Sequence, residues 1–139
     1  MKKIITLASL AFCVLILVCC KKHSEVFSSS IAGSWELRKV TGGFRGIYPG
    51  NDYAPGNGNT WIISNATYQT YHNHSLIHSG SYSLGKDLSP ATGQVTDFLI
   101  LNANEKIYFE VQNDTMTLYR GELAYDGTIE KYKRIEDNR

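Results

Sequence analysis

The feature that most constrains the fold of this chain is a two-residue alternation of apolar and polar side chains. In KIYFEVQ, Ile107, Phe109 and Val111 alternate with polar or charged neighbours, and DTMTLYR repeats the pattern with Met116 and Leu118. Successive side chains of a β-strand point to opposite faces, so this period is typical of strands with one buried face. The pattern predicts antiparallel β-structure with a core on one side of the sheet.

Short segments of the same kind recur along the chain and are separated by turn-forming residues. We predict eight strands, over residues 31–40, 60–64, 66–72, 76–84, 95–102, 106–112, 115–120 and 128–135. Asn, Asp and Gly fill most of the connections, as expected for hairpin turns. No helical period persists with capping residues. The fold class is therefore all-β, and the architecture is an antiparallel barrel or a β-sandwich.

The N-terminus has the layout of a bacterial secretory signal. Lys2 and Lys3 form a positive region, and an uncharged run over residues 4–18 follows it. This run is somewhat short for a membrane span, which takes about 20 apolar residues. An uncleaved membrane anchor is the alternative interpretation.

The segment LVCC, which ends at Cys20, resembles the lipobox of bacterial lipoproteins. The resemblance implies cleavage before Cys20 and acylation of this cysteine. It divides the chain into a signal peptide (residues 1–19), a lipidated tether (20–30) and a β-domain (31–139). Cys13 and Cys19 would leave with the signal, so the mature domain would have no disulfide and no cysteine metal site.

The signal layout and the lipobox-like segment imply a protein that is attached to the cell envelope by its N-terminal lipid. More than one acyl chain gives stable membrane attachment. The sequence does not distinguish the inner from the outer membrane, or a periplasmic from a surface-exposed domain.

The charge balance of the mature chain argues against nucleic acid as a partner. Without Lys2 and Lys3, the fourteen Lys and Arg residues of the chain become twelve, against thirteen Asp and Glu. Nucleic-acid binding requires a basic surface, and no basic cluster is present in the sequence. We also find no nucleophile elbow and no other recognisable catalytic constellation, so we predict no enzyme activity and no cofactor.

The first predicted strand carries Gly33 and Trp35 in the segment IAGSWEL. This Gly-x-Trp motif resembles the start of the eight-stranded up-and-down barrel of the lipocalin superfamily. In that family the tryptophan plugs the closed end and a basic residue of the last strand packs on its ring. The resemblance assigns this role to Arg134, with Arg120 as a second candidate.

The likeness is closer to lipocalin-like lipoproteins of Bacteroidetes-type bacteria. These combine a lipobox with GSWEL-, PGNGNT- and SGSYSL-like segments. The chain is shorter than a full lipocalin and has no disulfide. The resemblance therefore favours the barrel over the sandwich and bears less on ligand transport.

A glycine-rich connection over residues 42–59 joins the first two predicted strands. A connection of this length without structure of its own is uncommon and often functional. In lipocalin-like barrels the corresponding segment folds over the open mouth. We expect Phe44, Tyr48 and Tyr53 of this lid, together with Tyr82, to lie near a ligand entrance. An ordinary surface loop without a ligand is the alternative.

The segment YHNHSLIH brings three histidines close together. A three-residue turn at 73–75 would place His72 and His78 on one face of a hairpin, where two imidazoles suit zinc or copper. A third converging ligand is missing, because His74 would lie at the turn. We therefore predict an ordinary polar hairpin and no metal site.

Two functions are compatible with these features. The leading hypothesis is a lipid-anchored barrel that binds a small apolar or amphipathic ligand in its mouth. The alternative is a structural or interaction lipoprotein, with a side-chain-filled barrel, whose loops dock an envelope protein. An eight-stranded barrel allows either, because its interior is only just wide enough to be filled or to hold one small ligand.

Overall fold

The computed structural model describes residues 31–43, 51–121 and 126–136. The regular elements of these residues are strands, as the alternating pattern predicts. The strands are β1 (Gly33–Gly42), β2 (Asn51–Asp52), β3 (Thr60–Ser64), β4 (Thr67–His72), β5 (Ser75–Leu88), β6 (Val95–Leu101), β7 (Glu105–Gln112), β8 (Thr115–Arg120) and β9 (Thr128–Ile135).

Eight of these strands form a closed antiparallel barrel. From β3 to β9 each strand pairs with the next one in sequence, and β1 pairs with both β3 and β9, which closes the sheet. The short strand β2 lies outside this circuit and pairs with the second half of β1, through Lys39 and Val40. The predicted eight-stranded up-and-down barrel is confirmed, and its architecture is lipocalin-like rather than a sandwich.

The barrel interior follows the alternation read from the sequence. Ile107 and Phe109 of β7 face inward, as do Met116 and Leu118 of β8, and all four are at most 2% exposed. The core also includes large aromatic side chains from other strands, namely Trp35, Trp61, Tyr68, Tyr82 and Tyr132.

The hairpin between β4 and β5 differs from the predicted one. Its turn contains two residues, Asn73 and His74, with φ angles of 47° and 67°. Positive φ at both central positions is typical of a type I′ turn, whose twist matches that of the flanking strands. His72 therefore pairs with Ser75, and a register shift lies between the Tyr71–Leu76 and Thr70–His78 pairs. The predicted three-residue turn is wrong because the extra residue lies in a bulge within β5.

One end of the barrel is sealed by Trp35 and Arg134, which are directly paired on β1 and β9. The Arg134 guanidinium carbon lies 4.0 Å from the centre of the Trp35 ring, and Nη1 donates a hydrogen bond of 2.7 Å to the Ala32 carbonyl. The indole nitrogen of Trp35 donates to the Ile31 carbonyl at 2.7 Å. A Cβ atom on Gly33 would overlap the Arg134 guanidinium, and its φ of +142° is one that other residues rarely adopt, so glycine favours this close approach.

The strands of the described barrel pair with one another within residues 33–135, and the core residues lie between Ile31 and Tyr132. The segment 24–139 thus contains every strand and core residue of the described barrel, and we use it as the folded unit below. The predicted signal peptide and the predicted tether lie outside the described residues.

Candidate functional site

A cavity of about 570 Å³ lies at the end of the barrel opposite the Trp35 plug. Its lining includes the first residues of β3 and β7 (Thr60 and Glu105) and the last residues of β4 and β8 (His72 and Arg120). These strand ends surround one opening of the barrel. We call this space the mouth cavity.

Aromatic side chains form much of the wall of the mouth cavity. Trp61 of β3 and Tyr68 of β4 are diagonal neighbours that stack, with ring centres 5.7 Å apart and the rings 26° from parallel. Among the described residues, the Tyr and Trp side chains that line the cavity are Tyr53, Trp61, Tyr68, Tyr71 and Tyr132. Such side chains combine a large apolar surface with a polar tip, which suits a ligand of mixed polarity.

An ionic network extends into the same cavity from β7, β8 and β9. The Arg120 guanidinium contacts the Glu105 carboxylate at 2.8 Å and the Glu130 carboxylate at 3.0 Å. The Tyr132 hydroxyl donates a hydrogen bond of 2.8 Å to the second oxygen of Glu130. Arg120 also lies over the Trp61 ring, 5.7 Å from its centre. These contacts join charged and aromatic groups into one unit, the Arg120 network.

The network shifts the pKa values of two of its members. Burial, together with the adjacent Glu130 carboxylate, raises the pKa of the Tyr132 hydroxyl, which stays protonated and can keep donating to Glu130. Burial alone would lower the pKa of Arg120, but the carboxylates of Glu130 and Glu105 outweigh it and the pKa is raised. Arg120 is therefore a permanent cation between two carboxylates.

Thr70 brings an unpaired hydroxyl to the mouth cavity. The residue is 7% exposed, lines the cavity and lies opposite Trp61 in the β3–β4 pairing. Its Oγ1 is buried and has no hydrogen-bond partner among the described residues. Buried hydroxyl groups are nearly always hydrogen-bonded, so an unpaired one requires an explanation.

The second half of the predicted lid is ordered beside the mouth. The buried Glu36 carboxylate accepts hydrogen bonds from the Gly56 and Gly58 amides at 3.1 and 3.4 Å, and it pairs with the Arg38 guanidinium at 2.6 Å. Burial alone would raise the pKa of Glu36, but the bonds from Arg38, Gly56 and Gly58 hold it below its usual value. Residues 53–59 are thus tied to β1, and the expectation of a connection without structure is wrong here.

The predicted ligand-contacting residues have different outcomes. Tyr53 lines the mouth cavity, and its amide donates to the Arg38 carbonyl at 2.8 Å. Phe44 and Tyr48 lie outside the described residues, as does Cys20. Tyr82 is not at the entrance: it is 9% exposed, and its hydroxyl donates to the Ser64 carbonyl at 3.0 Å. Its position on β5 directs it into the core, away from the opening.

The two histidines considered as metal ligands both lie at the mouth cavity. His72 is the last residue of β4, and His78 pairs with Thr70 across the hairpin. In residues 31–43, 51–121 and 126–136, no cluster of three or more His, Cys, Asp or Glu side chains could hold a metal ion.

The sequence analysis missed the Arg120 network, although the alternation contained a signal for it. Arg120 follows Met116 and Leu118 on the inward face of β8, and Glu130 and Tyr132 share a face of β9. We considered Arg120 only as a second partner for Trp35, whereas it contacts Trp61. Charged residues at inward-facing positions indicate a polar interior, because isolated charges are too costly to bury.

Comparison with protein families, curated proteins and solved structures finds no match for this chain. Over the part of the chain that the structure describes, no helix combines the length and the apolar character needed to cross a membrane. The geometry of the barrel is therefore the basis for inferring a function.

Proposed function

We propose that this protein is a lipid-anchored cell-envelope protein whose barrel binds a small amphipathic molecule in the mouth cavity. The observation that carries the proposal is the asymmetry of the barrel. One end is sealed by Trp35 and Arg134, and the other holds a cavity of about 570 Å³. This volume falls within the roughly 300–1,000 Å³ of small-molecule sites.

The lining supports an amphipathic rather than a purely apolar ligand. The Trp61–Tyr68 pair offers flat apolar surface, while Glu130 and Arg120 place charge in the same space. A purely apolar molecule would remove water from the exposed parts of these charged groups without replacing its hydrogen bonds, at a cost in free energy. A molecule with one polar end satisfies both parts of the wall.

The proposed cell-envelope location rests on the signal layout and the lipobox-like segment that ends at Cys20. The test is the mass of the N-terminal peptide of the mature protein, purified from bacterial membranes. We expect a peptide that begins at Cys20 and carries acyl chains. Cys20→Ala should abolish acylation, and the neighbouring Cys19→Ala should leave it intact. Acylation that persists in Cys20→Ala would contradict this part of the proposal.

The binding function is tested by native mass spectrometry of residues 24–139, purified gently without the signal. We expect an added mass that disappears on denaturation and identifies the ligand. Thr70→Phe should abolish it by filling the space beside Trp61. The matched control is Gln69→Phe, since Gln69 pairs with Ile62 on the opposite face of the sheet and should leave binding intact. A bare mass that stays unchanged with a panel of lipids and metabolites would contradict ligand binding.

Docking of an envelope partner is a second candidate, supported by exposed aliphatic side chains. Leu88 and Val95 are paired across β5 and β6 and are 61% and 71% exposed. Leu76 and Ile77, near the mouth, are each about half exposed. If the native mass is bare, the test of this candidate is whether Leu88→Ser with Val95→Ser abolishes cross-linking of the anchored protein to an envelope protein. Unchanged cross-linking would argue against docking through this surface.

A further inference from the structure

We propose that the ligand of the mouth cavity is a small organic cation, with a protonated or quaternary amine attached to an apolar body. This inference rests on the proposed ligand-binding function and names its chemical class. It is carried by three observations: the charge of the Arg120 network, the aromatic wall and the unpaired hydroxyl of Thr70.

The charges of the described residues that line the mouth cavity sum to a negative value. Among the described lining residues, Glu105 and Glu130 are the acidic ones and Arg120 is the only Lys or Arg. With the imidazoles counted as neutral, the lining carries a formal charge of −1. A bound monocation would neutralise this charge, whereas a bound anion would increase it.

Arg120 is a poor anchor for an anionic ligand because its guanidinium is already engaged. Its Nη1 contacts Glu105 and its Nε contacts Glu130, so two carboxylates surround one cation. An anion that approaches Arg120 would be repelled by both carboxylates in a partly buried site, where like charges interact more strongly than in water. A cation can approach Glu130, whose side chain is 17% exposed, without breaking either pair.

The aromatic wall favours the same class of ligand. The face of an aromatic ring is the negative end of its quadrupole and attracts cations, including ammonium groups. Tyr53 and Tyr132 line the cavity alongside the carboxylates, and the Trp61–Tyr68 pair offers surface to an apolar body. Aromatic rings next to a net negative charge are the usual surroundings of organic ammonium ligands.

Thr70 supplies an independent indication that a polar ligand enters the cavity. Its side chain is more than nine-tenths buried, and its hydroxyl lacks a partner in the described structure. A hydroxyl can donate to or accept from a ligand. A ligand with a hydrogen-bonding group would satisfy it, whereas a hydrocarbon would leave it unpaired.

The test compares three probes that share one body and differ in charge. These are 4-phenylbutylamine, 4-phenylbutanol and 4-phenylbutyrate, titrated into residues 24–139 at neutral pH by isothermal titration calorimetry. We expect the amine to bind about tenfold more tightly than the alcohol, as one cation–π contact and one favourable charge would produce, and the acid to bind most weakly. Competition by an excess of tetraethylammonium should weaken the binding of the amine.

A matched pair of variants tests whether the preference for the amine arises in the mouth cavity. Glu130→Gln should reduce the affinity for the amine about tenfold and leave that for the alcohol unchanged. Glu110→Gln makes the same change in charge on the outward face of β7. It should change neither the affinity for the amine nor that for the alcohol. If Glu130→Gln does not fold, Glu105→Gln serves instead, because that carboxylate is 57% exposed. Cooperative thermal melting confirms folding in each case.

The outcomes separate this inference from the proposed function. Tighter binding of the alcohol or the acid would overturn the cation preference while leaving the barrel a ligand-binding protein. Equal loss of affinity in Glu130→Gln and Glu110→Gln would also overturn it. Absence of binding by all three probes would overturn the inference for this class of ligand. The native mass measurement decides the proposed function independently.

Discussion

Thr70 illustrates how a single buried atom connects stability with binding. Its hydroxyl lies in the barrel interior with no hydrogen-bond partner among the described residues, a condition that costs roughly 1–3 kcal/mol. We expect Thr70→Val, which replaces the hydroxyl with a methyl group, to raise the free energy of unfolding by about 1 kcal/mol. Urea unfolding of the ligand-free protein measures this. Thr117→Val, on the outward face of β8, should change stability by less than about 0.5 kcal/mol. A less stable Thr70→Val protein would show that the hydroxyl has a partner within the fold.

Gly33 is the residue on which the closed end depends. Its φ is +142°, and a side chain there would overlap the Arg134 guanidinium that packs on Trp35. We expect Gly33→Ala to lower the free energy of unfolding by about 2 kcal/mol and to alter the near-UV circular dichroism of the tryptophans. Gly93→Ala is the matched control, since Gly93 also has positive φ but has open space around it. Equal losses in the two variants would mean that backbone strain alone explains the effect.

At the scale of elements, the segment at residues 53–59 is tied to β1 through Glu36. The folded-state pKa of this carboxylate is lowered, so its stabilising contribution is present above the unfolded pKa of about 4.3. The contribution disappears as the pH falls below that value through the folded pKa. We therefore expect the melting temperature of the wild-type protein to be higher than that of Glu36→Gln at pH 7. This difference in melting temperature should become smaller in acid.

Thermal melts of both proteins between neutral pH and about pH 3, a range that brackets the carboxyl pKa, measure this difference. Asp52→Asn is the control, because the Asp52 carboxylate is 76% exposed in its pair with Lys39 and should contribute little at any pH. A difference between wild type and Glu36→Gln that stays constant with pH would show that the charge of Glu36 is not what holds the segment.

The elements also show what could be predicted from the sequence. The alternation in β7 and β8 was sufficient to place Ile107, Phe109 and Met116 in the core, because a two-residue period is a local property of a strand. The bulge in β5 was not predictable, because the register of a hairpin depends on contacts between strands. The strand β2 was missed because its two residues are held by pairing with β1 rather than by any local pattern.

The same distinction applies to the candidate site. Tyr53, a residue of the predicted lid, lines the mouth cavity, whereas Tyr82 lies in the core because of its position on β5. The side chains that give the cavity its charge, Arg120 and Glu130, come from different strands and meet only when β8 pairs with β9. Their inward positions were readable from the sequence, but their contact required the closed barrel.

At the scale of the whole molecule, the barrel combines a packed end with a charged cavity. Breaking one partner of a buried ion pair leaves a charge uncompensated, whereas replacing the whole pair with apolar residues is often neutral or stabilising. Arg120 is 32% exposed and Glu130 17%, so solvent reduces but does not remove this effect. The network is therefore a costly arrangement for stability alone, as expected if its charge serves binding.

Variants of the Arg120 network should therefore differ in stability and ligand preference in a specific pattern. We expect Arg120→Met to lower the free energy of unfolding by about 2 kcal/mol, since Glu130 loses its cationic partner. Adding Glu130→Leu to that variant should restore part of the loss in urea unfolding, because no uncompensated charge then remains at this pair. The recovery is incomplete because the buried Tyr132 hydroxyl loses its acceptor. The double variant should nevertheless lose its preference for 4-phenylbutylamine over 4-phenylbutanol. A double variant less stable than Arg120→Met would show that the network holds the barrel together. An unchanged preference for the amine would show that other groups select the ligand.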